Sequence, residues 1–164
     1  MDKGRLEPRL TADGSFSLWS ETFNQTFHSG RGALEEAHST FLAPAGLDRF
    51  SPGSGIAVME VCVGTGTNLA ALLDVCAQHQ LQLQWWGLES DRRPLGLALA
   101  DAGFRERCSA HALAELEQLR DHSRCLEGQG QMLWGDARQT LQLNQQQLMG
   151  CCDLILHDAF SPSV

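Results

Sequence analysis

Four acidic residues stand in or at the ends of apolar runs, and two glycines follow the first of them. Glu60 lies inside the run Ile56 to Val63, which leads into Gly64-Thr65-Gly66. Glu89 closes Gln82 to Glu89, Asp136 follows Gln131 to Trp134, and Asp158 closes Cys152 to Asp158. Carboxylates at strand ends can hold hydroxyl and amino groups, and glycine lets a backbone turn sharply and approach a ligand closely. Glu89 lies about 20 residues past the glycine turn, the placement of an acid that takes ribose hydroxyls. A dinucleotide site would want a third glycine where Leu69 stands, so that reading is weak. A turn with a purely structural role stays open on this stretch alone.

The elements that would position these residues follow from periodicity. Ile56 to Val63 is an apolar run suited to a buried parallel strand, and Leu69, Leu72, Leu73 and Cys76 share one helical face. Strand, glycine turn and helix make the first unit of a nucleotide-binding α/β domain. Gln82 to Glu89 is a second strand, and Pro94 opens a helix expected to stop at Gly103. A helix over about 110–119 precedes the third strand, Gln131 to Trp134. A polar, glutamine-rich helix over 138–149 leads to the fourth. Upstream, Asp13-Gly14 between alternating residues predicts a hairpin with Phe16 and Leu18 on one face, then an extended run from Glu21 to Phe27. Gly30 and Gly32 flank Arg31 before a helix in which Leu34, Ala37, His38 and Phe41 recur at helical spacing. That glycine-flanked stretch, with His28 and Ser29, is either an active-site loop or simply a flexible helix start. Residues 1–55 are thus an extension of hairpin and helix, and 56–164 a sheet of four strands.

The totals limit the function classes. A chain of 164 residues supports one domain with a sizeable core. No segment is apolar enough to span a membrane, and no apolar signal region follows the first residues, which reads as a cytoplasmic protein. The six cysteines form no C-x-x-C spacing, so neither a metal site nor a disulfide framework is expected. The net charge of −8 argues against a general nucleic-acid-binding surface, although Arg31 or Arg92-Arg93 could make a local phosphate patch.

With these blocks in place the chain resembles the MnmC-like methyltransferase family, from about Leu10 onward. The blocks are Thr11 to Leu18, Phe27 to Ala37, Glu60 to Asn68, and the ending Asp158-Ala-Phe-Ser-Pro162. Glu60, Gly64 and Gly66 are similar to motif I of class I methyltransferases, with Cys62 where the family has glycine. Gly135-Asp136-Ala137 resembles the motif whose Asp accepts from an adenine amino group. The resemblance implies an α/β, class I, Rossmann-like fold that binds S-adenosyl-L-methionine. It implies methylation of the aminomethyl group on the wobble uridine of tRNA. In that reading Glu60, Gly64, Gly66, Asn68, Glu89 and Asp136 serve the cofactor, and Asp158 orients the amine or takes its proton. His28, Ser29, Arg31 and Phe160 face the substrate. A seven-strand sheet would need three more strands, so the chain is expected to be C-terminally incomplete. The oxidase domain fused in some members would then act in trans. A non-catalytic remnant or binding module, and a methyltransferase for a small amine, remain alternatives.

Overall fold

A computed structural model describes residues 3–161, so Pro162 of the Asp-Ala-Phe-Ser-Pro ending lies outside the described residues. The chain opens with a small antiparallel sheet of β1 (Leu6–Leu10), β2 (Phe16–Ser20) and β3 (Gln25–Thr26). The expected hairpin is present, with Leu10 opposite Phe16. Asp13 builds its turn, since the Asp13 carboxylate accepts from the Ser15 amide, 2.8 Å, and from the Thr11 hydroxyl, 2.6 Å. The extended run expected from Glu21 to Phe27 shrinks to β3, because residues 21–24 form a turn with Asn24 at φ 50°.

The next helix is not regular. It starts as α1 (Ala33–Glu36), widens into a π turn (Ala37–Leu42) and ends as α2 (Ala43–Ala45) before left-handed Gly46. The Ala43 amide donates to the His38 carbonyl, five residues back. Pro44 has no N–H to give, so the regular ladder cannot continue through it. The inserted residue shifts the buried stripe to Ala37 and Leu42 and leaves His38 exposed, unlike the inward face the spacing suggested.

The main sheet holds β4 (Gly55–Val61), β5 (Gln82–Glu89), β6 (Arg124–Cys125), β7 (Gly130–Trp134) and β8 (Leu154–His157). Its order is β6-β7-β5-β4-β8, with β7, β5, β4 and β8 parallel and β6 antiparallel at one edge. This confirms the α/β, Rossmann-like arrangement and the four parallel strands. The two residues of β6 had no signal in the sequence. Helix α3 (Thr67–Gln78) follows β4. Between β5 and β6 lie α4 (Arg93–Ala100), α5 (Ala102–Arg107) and α6 (Ala110–His122). Between β7 and β8 lie α7 (Ala137–Leu143) and α8 (Gln145–Leu148). Gly103 does not stop a helix. The break falls at Asp101, whose side chain caps α5 by accepting from the Phe104 amide, 2.8 Å. The single polar helix expected over 138–149 likewise divides at Asn144.

Strand β4 is buried on both faces, as a central parallel strand must be. Ile56 and Val58 join Trp85, Leu69 and Leu72 in the larger core, which also takes Phe16 and Leu18 from the N-terminal sheet. Ala57, Met59 and Val61 pack with Trp86, Leu88 and Leu148 on the other face. The chain lays down β4, then builds to one side with β5 and β7, and only later to the other with β8. The crevice beyond the carboxyl ends of β4 and β8 is therefore the topological switch point, where open α/β sheets place their ligands. Edge strand β8 leaves Ile155 60% exposed. Among the described residues no helix is long and apolar enough to cross a membrane.

One glycine sets the packing beneath this crevice. Gly87 is the register partner of Glu60, and a Cβ built on it would lie 2.2 Å from Trp85 Cη2 and 2.8 Å from Val63 Cγ2. The missing side chain gives the Trp85 indole its place. Gly87→Ala should destabilise the fold by ~1–3 kcal/mol through overpacking, measured by urea denaturation. An unchanged midpoint would mean that the indole repacks freely.

Candidate functional site

The left-handed turn begins two residues before the first glycine. Cys62 has φ 66°, followed by Gly64 at 57° and Gly66 at 82°. A left-handed backbone explains why glycine suits position 62, and a non-glycine residue there carries a cost of about 1 kcal/mol. The turn is also closely covered. A Cβ on Gly64 would stand 3.1 Å from Phe27 Cδ1, and one on Gly66 would stand 2.9 Å from Leu116 Cδ2. The Gly64 amide donates to Glu89 Oε2, 2.9 Å, while Glu89 Oε1 accepts from the Ser90 and Asp91 amides, 2.6 and 2.8 Å. One carboxylate thus ties the turn after β4 to the turn after β5.

Glu60 shares the face of Ile56 and Val58, so its side chain enters the larger core. It is 0% exposed. Trp85 Nε1 donates to Glu60 Oε2, 3.1 Å, and Oε1 has no partner among the described residues. Burial pushes the carboxyl up to about 8, the indole bond opposes this, and the charges of Asp158 and Glu89 add to it. Glu60 is therefore mostly protonated near neutrality. The Cys62 thiol, beside the same three acids, is raised to about 11, chiefly by burial.

Asp158 follows β8, where its amide donates to the Val61 carbonyl, 3.1 Å. Asn68, at the start of α3, donates from Nδ2 to Asp158 Oδ2, 2.9 Å. Burial raises the Asp158 carboxyl to about 6, the Asn68 bond lowers it, and the Glu36 charge raises it. Glu60, Cys62, Glu89, Asn68 and Asp158 thus meet at neighbouring strand ends. Asp136 lies on the same edge of the sheet, after β7. Its carboxylate caps α7 at the Arg138 amide, 3.0 Å, and pairs with the Arg138 guanidinium, 2.6 Å, which holds it down to about 2.

The N-terminal segment closes over this edge. His28 is buried, with Nδ1 3.1 Å from Ser17 Oγ and Nε2 3.4 Å from Thr65 Oγ1, and burial pulls the ring down to about 4. The neutral imidazole bridges the small sheet to the glycine turn. Phe160 stacks on Phe23, centroids 4.5 Å apart, and meets Phe27 edge-on at 5.0 Å. Gln25 Nε2 donates to the Ser161 carbonyl, 2.8 Å. Ser29 and Arg31 face elsewhere, into an open groove of about 240 Å³ that they line with Glu35, Glu36, Ser39 and Thr40. Among the described residues Glu36 connects the two regions, accepting from the Ser29 amide, 2.8 Å, and acting on Asp158. Among the described residues no group of three or more His, Cys, Asp or Glu could hold a metal ion.

No protein-family model matches the chain, and no curated protein does. Among solved structures, the crystal structure of MnmC2 from Aquifex aeolicus superposes with a TM-score of 0.74 at 25% sequence identity. The fold is MnmC-like. The match takes in 98% of this chain and 52% of the MnmC2 chain, so the sequence spans about half the length of that neighbour. The likeness to MnmC2 supports the family resemblance seen in the sequence blocks, and the sheet is that of a Rossmann-like methyltransferase.

Two measurements check the geometry of the turn. Cys62→Gly should be more stable than Cys62→Ala by about 1 kcal/mol, because only glycine meets φ 66° without strain; equal stabilities would contradict the left-handed backbone. Glu60 holds its proton in the fold up to about pH 8 but loses it near 4.5 when unfolded. Its contribution is present below 4.5 and is lost as pH rises through 8, by up to about 1.4 kcal/mol per unit. Glu60→Gln should flatten that decline in denaturation midpoints between pH 5 and 8; an unaltered slope would assign it to another group.

Proposed function

We propose that the chain is an S-adenosyl-L-methionine-dependent N-methyltransferase of the MnmC type, with the 5-aminomethyl group of the tRNA wobble uridine as acceptor. The observation that carries this reading is the convergence of Glu60, Glu89 and Asp158 at the switch point of an MnmC-like fold. These groups fit the cofactor chemically. Carboxylates suit a ligand that brings positive charge and ribose hydroxyls, and a buried carboxyl oxygen without a partner leaves polar capacity unused beneath the crevice. Bound there, the cofactor would supply an electrophilic methyl group on a sulfonium.

The chain's own residues do the rest. Glu89 takes the ribose, Asp136 the adenine amino group, and Gly64 and Gly66 let the backbone approach the methionine moiety. Asn68 holds Asp158 in one orientation. An alkyl amine is mostly protonated at neutral pH and must lose a proton before its lone pair can attack. The Asp158 carboxyl at about 6 is mostly ionised at pH 7, so it can draw in the ammonium and accept its proton. The pairing of Phe160 with Phe23 and Phe27 supports a role as a wall beside the acceptor, since stacking on a base would require that cluster to open. His28 acts through Thr65 on the glycine turn, and Ser29 and Arg31 contact the acceptor's flank from the groove.

A second reading, a small-amine acceptor, is favoured by one observation. The chain carries a net charge of −8, and its open groove holds two glutamates beside one arginine.

Asp158→Asn should lower methyl transfer about 100-fold or more, as loss of a proton acceptor does, while S-adenosylmethionine binding followed by calorimetry persists. Near-normal turnover by the variant would remove Asp158 from the chemistry. Turnover of the free aminomethyl nucleoside at the rate of the aminomethylated tRNA would favour the small-amine reading.

A further inference from the structure

The buried acid beneath the crevice has a property that holding a ligand does not require. Among the described residues Glu60 has no exposed surface and one oxygen without a partner, and its side chain is held by a single indole N–H. Among the described residues every charged group that faces it is an acid: Glu89 from β5 and Asp158 from beyond β8, with the Cys62 thiol beside all three. None of the described lysines, arginines or histidines acts on it. An isolated buried carboxylate in such company is unfavourable, and a cation placed among the three acids reverses that.

We infer that Glu60 is a charge sensor: it keeps its proton in the ligand-free protein and releases it to solvent when the sulfonium cofactor enters the crevice. This rests on the cofactor reading above. The balance is simple, one carboxylic acid giving one carboxylate and one proton to the buffer, with the new anion compensated by the ligand's positive charge. The device separates cofactor from product. S-adenosylhomocysteine shares the adenosine and amino-acid ends but lacks the sulfonium charge, so it leaves Glu60 protonated and is bound without that compensation. Methyl transfer moves the positive charge to the amine, so once the methylated amine has left, a proton returns to Glu60 and S-adenosylhomocysteine is released.

Calorimetric titration of the full chain in buffers of different ionisation enthalpy reads the proton count directly. At pH 7 binding of S-adenosylmethionine should release close to one proton. The release should fade by pH 9, with affinity rising about tenfold between the two. S-adenosylhomocysteine should release far less, and Glu60→Gln should abolish the release while preserving an acceptor for Trp85 Nε1. Cofactor binding without proton release, or the same release from the Gln variant, would overturn the sensor and leave the cofactor reading standing. No binding of either ligand by the folded protein would remove the cofactor reading, and the sensor with it. An independent check needs no ligand: the Glu60 side-chain carboxyl, followed by carbon NMR in the free protein, should titrate near 8. A midpoint in the ordinary glutamate range would overturn the inference whatever the ligands do.

Discussion

The hydrogen bond from Trp85 Nε1 to Glu60 is the contact on which the organisation of the crevice depends. An acid without exposed surface is tolerated in a parallel sheet only when it is neutral or well paired. Here the indole supplies one bond and the second oxygen has none among the described residues. Two features of the sequence make even that bond possible. Trp85 stands opposite Val58, one diagonal step from Glu60, and Gly87 opposite Glu60 leaves room for the ring. The β4–β5 register then sets where Glu89 and the glycine turn meet.

The N-terminal sheet has a more direct part in the site than that of a cap. Asp13 shapes a turn that presents Ser15, whose hydroxyl accepts from the Ala33 amide, 2.8 Å, at the start of α1. The same turn holds the glycine-flanked loop, since the Ala12 and Asp13 amides donate to the Gly30 and Arg31 carbonyls. Gly32 lies against it, where a Cβ would meet Asp13 Oδ2 at 2.0 Å. His28 then leads from this assembly to Thr65, and Phe27 covers Gly64. The first two sequence blocks are therefore a single unit that fixes the position of a loop over the strand ends.

Most of the scaffold was legible because burial on two faces writes itself as continuous apolar runs. The second strand has its expected bounds, and Leu69, Leu72, Leu73 and Cys76 are all buried. What escaped was set by single backbone groups. The π turn follows from the missing N–H of Pro44, and the break at Asp101 from a side chain that caps better than Gly103 terminates. At the site, the nearness of Glu60, Glu89 and Asp158 could be inferred from strand ends. The depth of Glu60, its indole partner, and the commitment of Asp136 to Arg138 depend on side-chain directions that spacing does not encode. Cys62 is the clearest case: as a letter it departs from a glycine pattern, and as backbone it keeps the conformation glycine would adopt.

The central claim is that a ligand of the cofactor's chemistry sits beyond the ends of β4, β5 and β8. Amide and indole NMR of the folded chain, titrated with S-adenosylmethionine, tests it most directly. The account predicts that the largest shifts fall on Gly64, Gly66, Ser90 and the Trp85 indole. Shifts confined to the groove around Ser29, Ser39 and Thr40, or no shift at the strand ends at saturating ligand, would contradict it.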